Sequence, residues 1–194
     1  MLTFNNLNNF FKNISIIYVD QKIHNTKQIT TDKLIFFVDE NNKVNSINCL
    51  DNEWLGIEPN VKFGRLTSAQ IELLETKAKE LGLEIRPIQQ FIFGEILKRD
   101  VHPKSQKLFV LEVLINQETQ QKIQLVTNTL DSAEGKVVVL ALPGATTFAG
   151  TPILNGKVMD VSSYGMLTGY RTLGIDKDGL IFGEANQIGK EFEF

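Results

Sequence analysis

Beyond Gln90 the chain offers only short runs of β-branched and aromatic residues, each ended by Gly, Pro, Asn or Asp, and that pattern points to a small barrel or sandwich. Phe91–Lys98 reads as a strand with Gly94 inside it, where a barrel strand can bend sharply. Lys107–Ile115 is a second strand, apolar at nearly every position. Lys122–Leu125 alternates cleanly as a third. Val137–Leu142 follows Gly135 as a fourth, and Leu180–Phe182 follows Asp178-Gly179.

The stretch before Gln90 reads as α+β. Ile14–Val19 and Leu34–Val38 suit half-buried strands, and the polar turn Asp39–Lys43 joins the second of these to Val44–Leu50 as a hairpin. Asp51–Gly64, with Gly56, Pro59 and Gly64, reads as loop. Thr67 and Gln70 form a capping-box pattern that starts a helix, and Gly82 stops it. Ile71, Leu74, Ala78 and Leu81 fall on its inward face, and Glu75 and Lys79 make an outward i,i+4 pair. Pro87 and Gln89-Gln90 mark a junction. The expected organisation is therefore a small α+β domain over 1–89, a hairpin plus one capped helix, and an all-β domain over 90–194.

Charge and residue counts exclude several functions. The formal net charge is −3, and neither half is basic: residues 1–89 hold 10 Lys and Arg against 11 Asp and Glu, and residues 90–194 hold 10 against 12. Nothing in this balance advertises a nucleic-acid binder. One cysteine, Cys49, and two histidines leave no intrachain disulfide and no Cys/His metal site to expect. No phosphate loop, nucleophile elbow, H-E-x-x-H or C-x-x-C occurs, so neither an enzyme nor a bound cofactor is expected. The asparagine-rich start is no secretory signal, and the longest clean apolar run, Val137–Leu142, is far from a membrane span. A cytoplasmic protein is the expectation. By base rate, Trp54 and the 13 phenylalanines are mostly assigned to the core.

Read in order, the second half contains a string of short motifs. These are Gly94-Glu95-Ile96, His102-Pro103-Lys104-Ser105-Gln106-Lys107-Leu108, Gln124-Leu125-Val126, Gly135-Lys136-Val137-Val138-Val139, Leu142-Pro143-Gly144-Ala145, Ser163-Tyr164-Gly165-Met166 and Leu173-Gly174-Ile175. Together they resemble the OB-fold tRNA-binding domain family, found in free-standing tRNA-binding proteins and near the start of the bacterial phenylalanyl-tRNA synthetase β chain. A small α+β segment followed directly by this barrel looks like the YtpR-type stand-alone proteins. The chain departs from the family pattern at Thr127-Asn128-Thr129 (usually Cys-Gly-Ala), at Gln106 (Asp), at Met159-Asp160 (Arg-Gly), at Thr168-Gly169 (Cys-Ser) and at Thr172 (Glu). The turns and core are kept, while part of the polar surface is exchanged.

The resemblance implies a non-catalytic tRNA binder that recognises shape and backbone through the OB-fold. OB barrels grip RNA with a cationic groove and base-contacting side chains. Here Lys98, Arg99, Lys104, Lys107 and Arg171, with Lys122 and Lys157, are the available cations, and Asn128 is a candidate hydrogen-bonding group. Ser163 and Met166 belong to the RNA-contacting surface by resemblance, although Met166 reads equally well as core. His102-Pro103 reads as a loop-fixing pair and Pro143-Gly144 as turn chemistry. The resemblance also allows a homodimer and an association with an aminoacyl-tRNA synthetase. The competing reading is a protein-interaction or assembly module whose OB-fold has lost much of its RNA affinity, which Met159-Asp160 and the low positive charge favour.

Overall fold

A computed structural model describes residues 1–194, and the chain is mostly β. It divides into two compact units. The first is Met1–Ile88 with Gly144–Pro152 and Phe194; the second is Gln89–Pro143 with Ile153–Glu193. No helix is long and apolar enough to cross a membrane.

The first unit is dominated by a six-stranded antiparallel sheet. Its strands are β1 (Thr3–Asn6), β2 (Ser15–Tyr18), β3 (Lys27–Thr30), β4 (Leu34–Val38), β5 (Val44–Cys49) and β6 (Phe63–Arg65), in the order β3-β4-β5-β2-β1-β6. β4 shows why the pattern works. Leu34, Phe36 and Val38 are buried while Ile35 and Phe37 are only partly covered, the period of two that a pleated strand imposes. β2, β4 and β5 lie where the sequence places strands; β1, β3 and β6 do not, and β6 falls in the stretch read as loop. A single helical turn, α1 (Asn52–Leu55), is capped by the Asp51 carboxylate, which accepts from the Trp54 N–H.

Helix α2 (Ser68–Glu80) begins as expected. Thr67 Oγ1 accepts from the Gln70 N–H at 3.3 Å, and Gln70 Oε1 accepts from the Thr67 N–H at 2.8 Å. It also ends at Gly82 as expected, but the placement of Leu81 differs. Gly82 N–H bonds to Lys79 O and Leu83 N–H to Ala78 O, a Schellman closure that turns the chain back on itself. Leu81 therefore points outward at 40% exposed, and Leu83 takes its place in the core beside Leu74 and Ala78. On the outer face the ion pair that forms is Lys77–Glu80, at 2.9 Å.

The second unit is built on a five-stranded antiparallel sheet of β7 (Phe91–His102), β8 (Ser105–Asn116), β9 (Gln121–Thr127), β10 (Val137–Ala141) and β13 (Met166–Leu167), in the order β13-β10-β7-β8-β9. A separate two-stranded ribbon joins β11 (Gly156–Val158) to β12 (Val161–Ser163). The large sheet is curled. The segment just before β13 reaches the free edge of β9, where Tyr164 N–H donates to Gln124 O at 2.9 Å and Gln124 Nε2 donates to Ser162 O at 2.7 Å. The curl encloses Ile92, Ile96, Leu111, Val113, Leu125, Val138, Leu140, Leu167 and Leu180. Truncating one such leucine to alanine typically costs about 2–5 kcal/mol.

Gly94 explains the tight packing of β7. A Cβ there would lie 2.7 Å from Leu140 Cδ1 and 2.9 Å from Val113 Cγ1, so only glycine lets these strands close on the core. Leu180–Phe182, expected as a strand, forms only isolated bridges, Gly169 with Leu180 and Val138 with Phe182.

Candidate nucleic-acid interface

The β7–β8 hairpin carries most of the candidate cations. A bulge between Ile96 and Lys98 resets the alternation of β7, and beyond it Lys98 and Arg99 project to opposite faces. Lys98 lies opposite Glu112, which lies opposite Gln124 on β9. On this face the charges cancel in pairs: Lys98 meets Asp100 at 2.6 Å, and Lys122 meets Glu112 at 3.0 Å. The Asp100 carboxylate pushes the Lys98 ammonium upward. A shallow depression of about 330 Å³ lies among these four charged side chains.

Arg99 has a different setting. Its guanidinium lies over the Phe109 ring, 3.4 Å from the centroid, with Nε 3.3 Å from Ser132 Oγ. Ser132 Oγ in turn donates to Thr129 O at 2.6 Å, and Thr127 Oγ1 accepts from the Thr129 N–H at 3.2 Å. Glu134 Oε1 takes the Arg99 backbone N–H at 2.8 Å, so its carboxylate is engaged by the main chain. These bonds hold the loop after β9 against the hairpin. Asn128 sits exposed on that loop, close in sequence to its anchor points. The structure thus brings Arg99 and the Asn128 loop together, through Phe109 and Ser132, which the sequence reading did not single out. Their signal was the antiparallel register, which sets Phe109 opposite Thr127, and register cannot be read along one strand.

The turn of the hairpin is held by His102. This imidazole is 2% exposed. Nδ1 accepts from the Lys104 N–H at 3.1 Å, so Nε2 carries the proton that it donates to Val158 O, also at 3.1 Å. The same ribbon presents Met159 and Asp160 at its two-residue tip, both with positive φ (46° and 72°), a type I′ turn made without glycine. The Asp160 carboxylate ion-pairs with the Lys104 ammonium. Lys107, by contrast, is exposed and has no carboxylate partner, and neither has Lys157 on the ribbon.

The remaining candidates fall elsewhere. Ser163 is buried, and its hydroxyl accepts from the Val126 N–H at 3.0 Å and donates to Gly165 O at 3.3 Å, so it fastens β9 to the segment before β13. Met166 is half-buried opposite Ala141. Arg171, on a 3₁₀ turn, pairs with Asp178 at 2.6 Å and Asp176 at 3.4 Å; the Asp178 carboxylate pushes its guanidinium further upward. No three His, Cys, Asp or Glu side chains converge as metal ligands would.

Residues 91–190, more than half of the chain, match the family model described as "Putative tRNA binding domain". The chain belongs to this tRNA-binding domain family. Among curated proteins it is similar to the phenylalanine–tRNA ligase beta subunit of Clostridium acetobutylicum, 31% identical over 129 residues that cover 64% of this chain and 16% of the relative. The beta subunit of Nitratidesulfovibrio vulgaris is 34% identical over 119 residues, 56% of this chain and 15% of the relative. That of Fusobacterium nucleatum is 26% identical over 125 residues, 63% and 15%. The chain thus spans about a sixth of the length of these ligase subunits. In the tRNA-binding domain as it stands here, the motif residues His102, Gly94 and Ser163 all serve the framework.

Proposed function

We propose that this chain is a non-catalytic tRNA-binding protein of the stand-alone type, acting in the cytoplasm, whose residues 90–194 form an OB-type barrel behind a small α+β domain over 1–89. The match of residues 91–190 to a tRNA-binding family carries the reading. Two features give it a physical basis. The curled five-stranded sheet is tied edge to edge through Ser162–Tyr164, as a closed barrel requires. Among the candidate cations, the side chains of Arg99, Lys107 and Lys157 make no ion pair with a carboxylate, and the Arg99 fork is held flat by Phe109. A guanidinium so held loses little freedom on meeting a phosphate. Asn128 adds an exposed amide on the loop that Arg99 and Ser132 hold. Ser163 and Met166 act by holding the neighbouring segment in place. An aminoacyl-tRNA synthetase as partner and a homodimer belong to the same reading, the first by analogy with the ligase subunits.

A second reading, a protein-interaction module, is favoured by one observation. Lys98, Lys104, Lys122 and Arg171 are each neutralised by a carboxylate within the fold. The two separate on tRNA binding by the double variant Arg99→Ala/Lys107→Ala. The RNA reading expects a loss on the order of tenfold at moderate salt, from the removal of two phosphate contacts. Unchanged affinity, or no affinity in the parent protein together with recovery of a stable protein complex, would favour the module.

A further inference from the structure

The first unit exposes two adjacent aromatic rings for which the sheet has no use. Phe10 and Phe11 are 83% and 60% exposed, whereas most phenylalanines here are at least half-buried. The loop that carries them is tied down: Leu7 N–H bonds to Ile14 O, and the N–H groups of both Phe10 and Phe11 bond to Leu7 O at 2.7 and 2.8 Å. Phe10 forms one side of a groove of about 340 Å³, whose other walls include Asn6, Tyr18, Lys62 and Phe148. Phe148 lies in Gly144–Pro152, which belongs to this unit, and its carbonyl accepts from Asn5 Nδ2 at 3.1 Å. The groove size is at the low end for a small-ligand site.

The lining selects among ligand classes. Four other cavities each carry at least one Asp or Glu, whereas no carboxylate lines this one. Lys62 lines it, Lys12 follows Phe11, and neither ammonium has a carboxylate partner. Amides and a phenol stand among the apolar groups: Asn5 Nδ2 donates to the Tyr18 hydroxyl at 3.2 Å, and burial pushes that phenol upward, so it keeps its proton. The Asn5 and Asn6 side chains spend their amide hydrogens within the fold, which leaves the exposed Asn9 amide at the groove for a base edge. An open ring, this amide and uncompensated lysines together suit a nucleotide: a stacking surface for the base, a hydrogen bond for its edge and a cation for its phosphate. An apolar protein segment would have no use for the two lysines.

The geometry points to this groove as a second RNA contact, in which an unpaired base stacks on Phe10 or Phe11 and its phosphate meets Lys62 or Lys12. The inference rests on the tRNA-binding reading and extends it to the first unit, to which that reading assigns no role.

The test uses the full chain and two probes, dye-labelled short oligouridylate and tRNA. Phe10→Ser/Phe11→Ser should weaken oligouridylate binding about tenfold, within the range expected for losing one stacked base. Phe10→Trp/Phe11→Trp should retain it, and Lys62→Glu should weaken it. Arg99→Ala/Lys107→Ala should lower tRNA affinity while leaving the oligouridylate affinity in place, so the two sites can fail independently. Oligouridylate binding that is absent, or that is unchanged in the double serine variant, overturns the groove and leaves the barrel reading standing if tRNA still binds. A dimer of the parent chain in sedimentation that dissociates in the serine variant also overturns it, because the rings then cover a second copy.

Discussion

The Arg99 guanidinium lies 3.4 Å from the centre of the Phe109 ring, and this stack ties the longest hairpin of the chain to the loop that bears Asn128. Cation–π contacts contribute about 0.5–2 kcal/mol, depending on desolvation. Arg99→Lys keeps the charge but loses the flat fork, so tRNA affinity should fall about as far as in Arg99→Ala rather than stay near the parent value. Filter binding of the two variants checks this; a lysine variant that binds like the parent protein would show that charge alone matters at this position.

Asp160 holds the ammonium of Lys104, a residue of the motif. Exposed pairs of this kind contribute about 0–1 kcal/mol to folding, so Asp160→Asn should leave the urea midpoint nearly unchanged. Asparagine also tolerates the left-handed backbone that residue 160 adopts. Freed from its partner, Lys104 becomes available to phosphate, and tRNA affinity should rise a few-fold with a steeper salt dependence, by roughly one unit of slope. A fall in affinity would mean that the pair positions the loop for RNA instead of masking it.

Gly165 has φ +138°, and a Cβ there would meet Ala141 O at 2.7 Å; at Gly94 the clash is with Leu140 and Val113. Gly94→Ala should destabilise by about 1–3 kcal/mol through overpacking, and Gly165→Ala by at least as much, since backbone strain adds to the contact. Urea unfolding followed by far-ultraviolet circular dichroism measures both.

Asp51 predicts a pH dependence. A hydrogen bond from Lys33, then the Trp54 N–H, hold its carboxyl below the usual carboxylate range. The folded state therefore favours the ionised form. The contribution is present above the unfolded carboxylate pKa of about 3.9 and is lost as pH falls through the lower folded value. Asp51→Ala should be less stable than the parent at neutral pH, and the difference should shrink as the pH drops below about 4. Trp54, the single tryptophan, reports this unfolding directly. A difference that stays constant down to acid would assign the loss to packing.

Local chemistry was legible in the sequence where one segment decides the outcome. The Thr67–Gln70 box started its helix, and the alternation of β4 held, because neither depends on a distant partner. β1 was hidden because Thr3-Phe4-Asn5-Asn6 has poor strand chemistry and is held by β2 and β6 on either side. β3 is a polar edge strand with one neighbour. Leu81 was misplaced because a helical period continued one residue too far, past the point where the Schellman closure redirects the chain to Leu83. At the candidate interface the cations could be named but not their state. Lys104 and Asp160 lie 56 residues apart, and only the folded ribbon brings them together. Phe10 and Phe11 escaped a composition-based assignment to the core for the same reason: burial belongs to the fold, not to the residue type.

The central claim is that the second unit grips the phosphate backbone of tRNA, and the dependence of tRNA affinity on salt tests it most directly. With phosphate contacts from Arg99, Lys107 and Lys157, the candidate cations without a carboxylate partner, the slope of log K against log salt should be about −2 to −3. It should flatten when Arg99 and Lys107 are both replaced by alanine. A parent protein that binds tRNA with no salt dependence, or fails to bind it at low salt, would contradict the account.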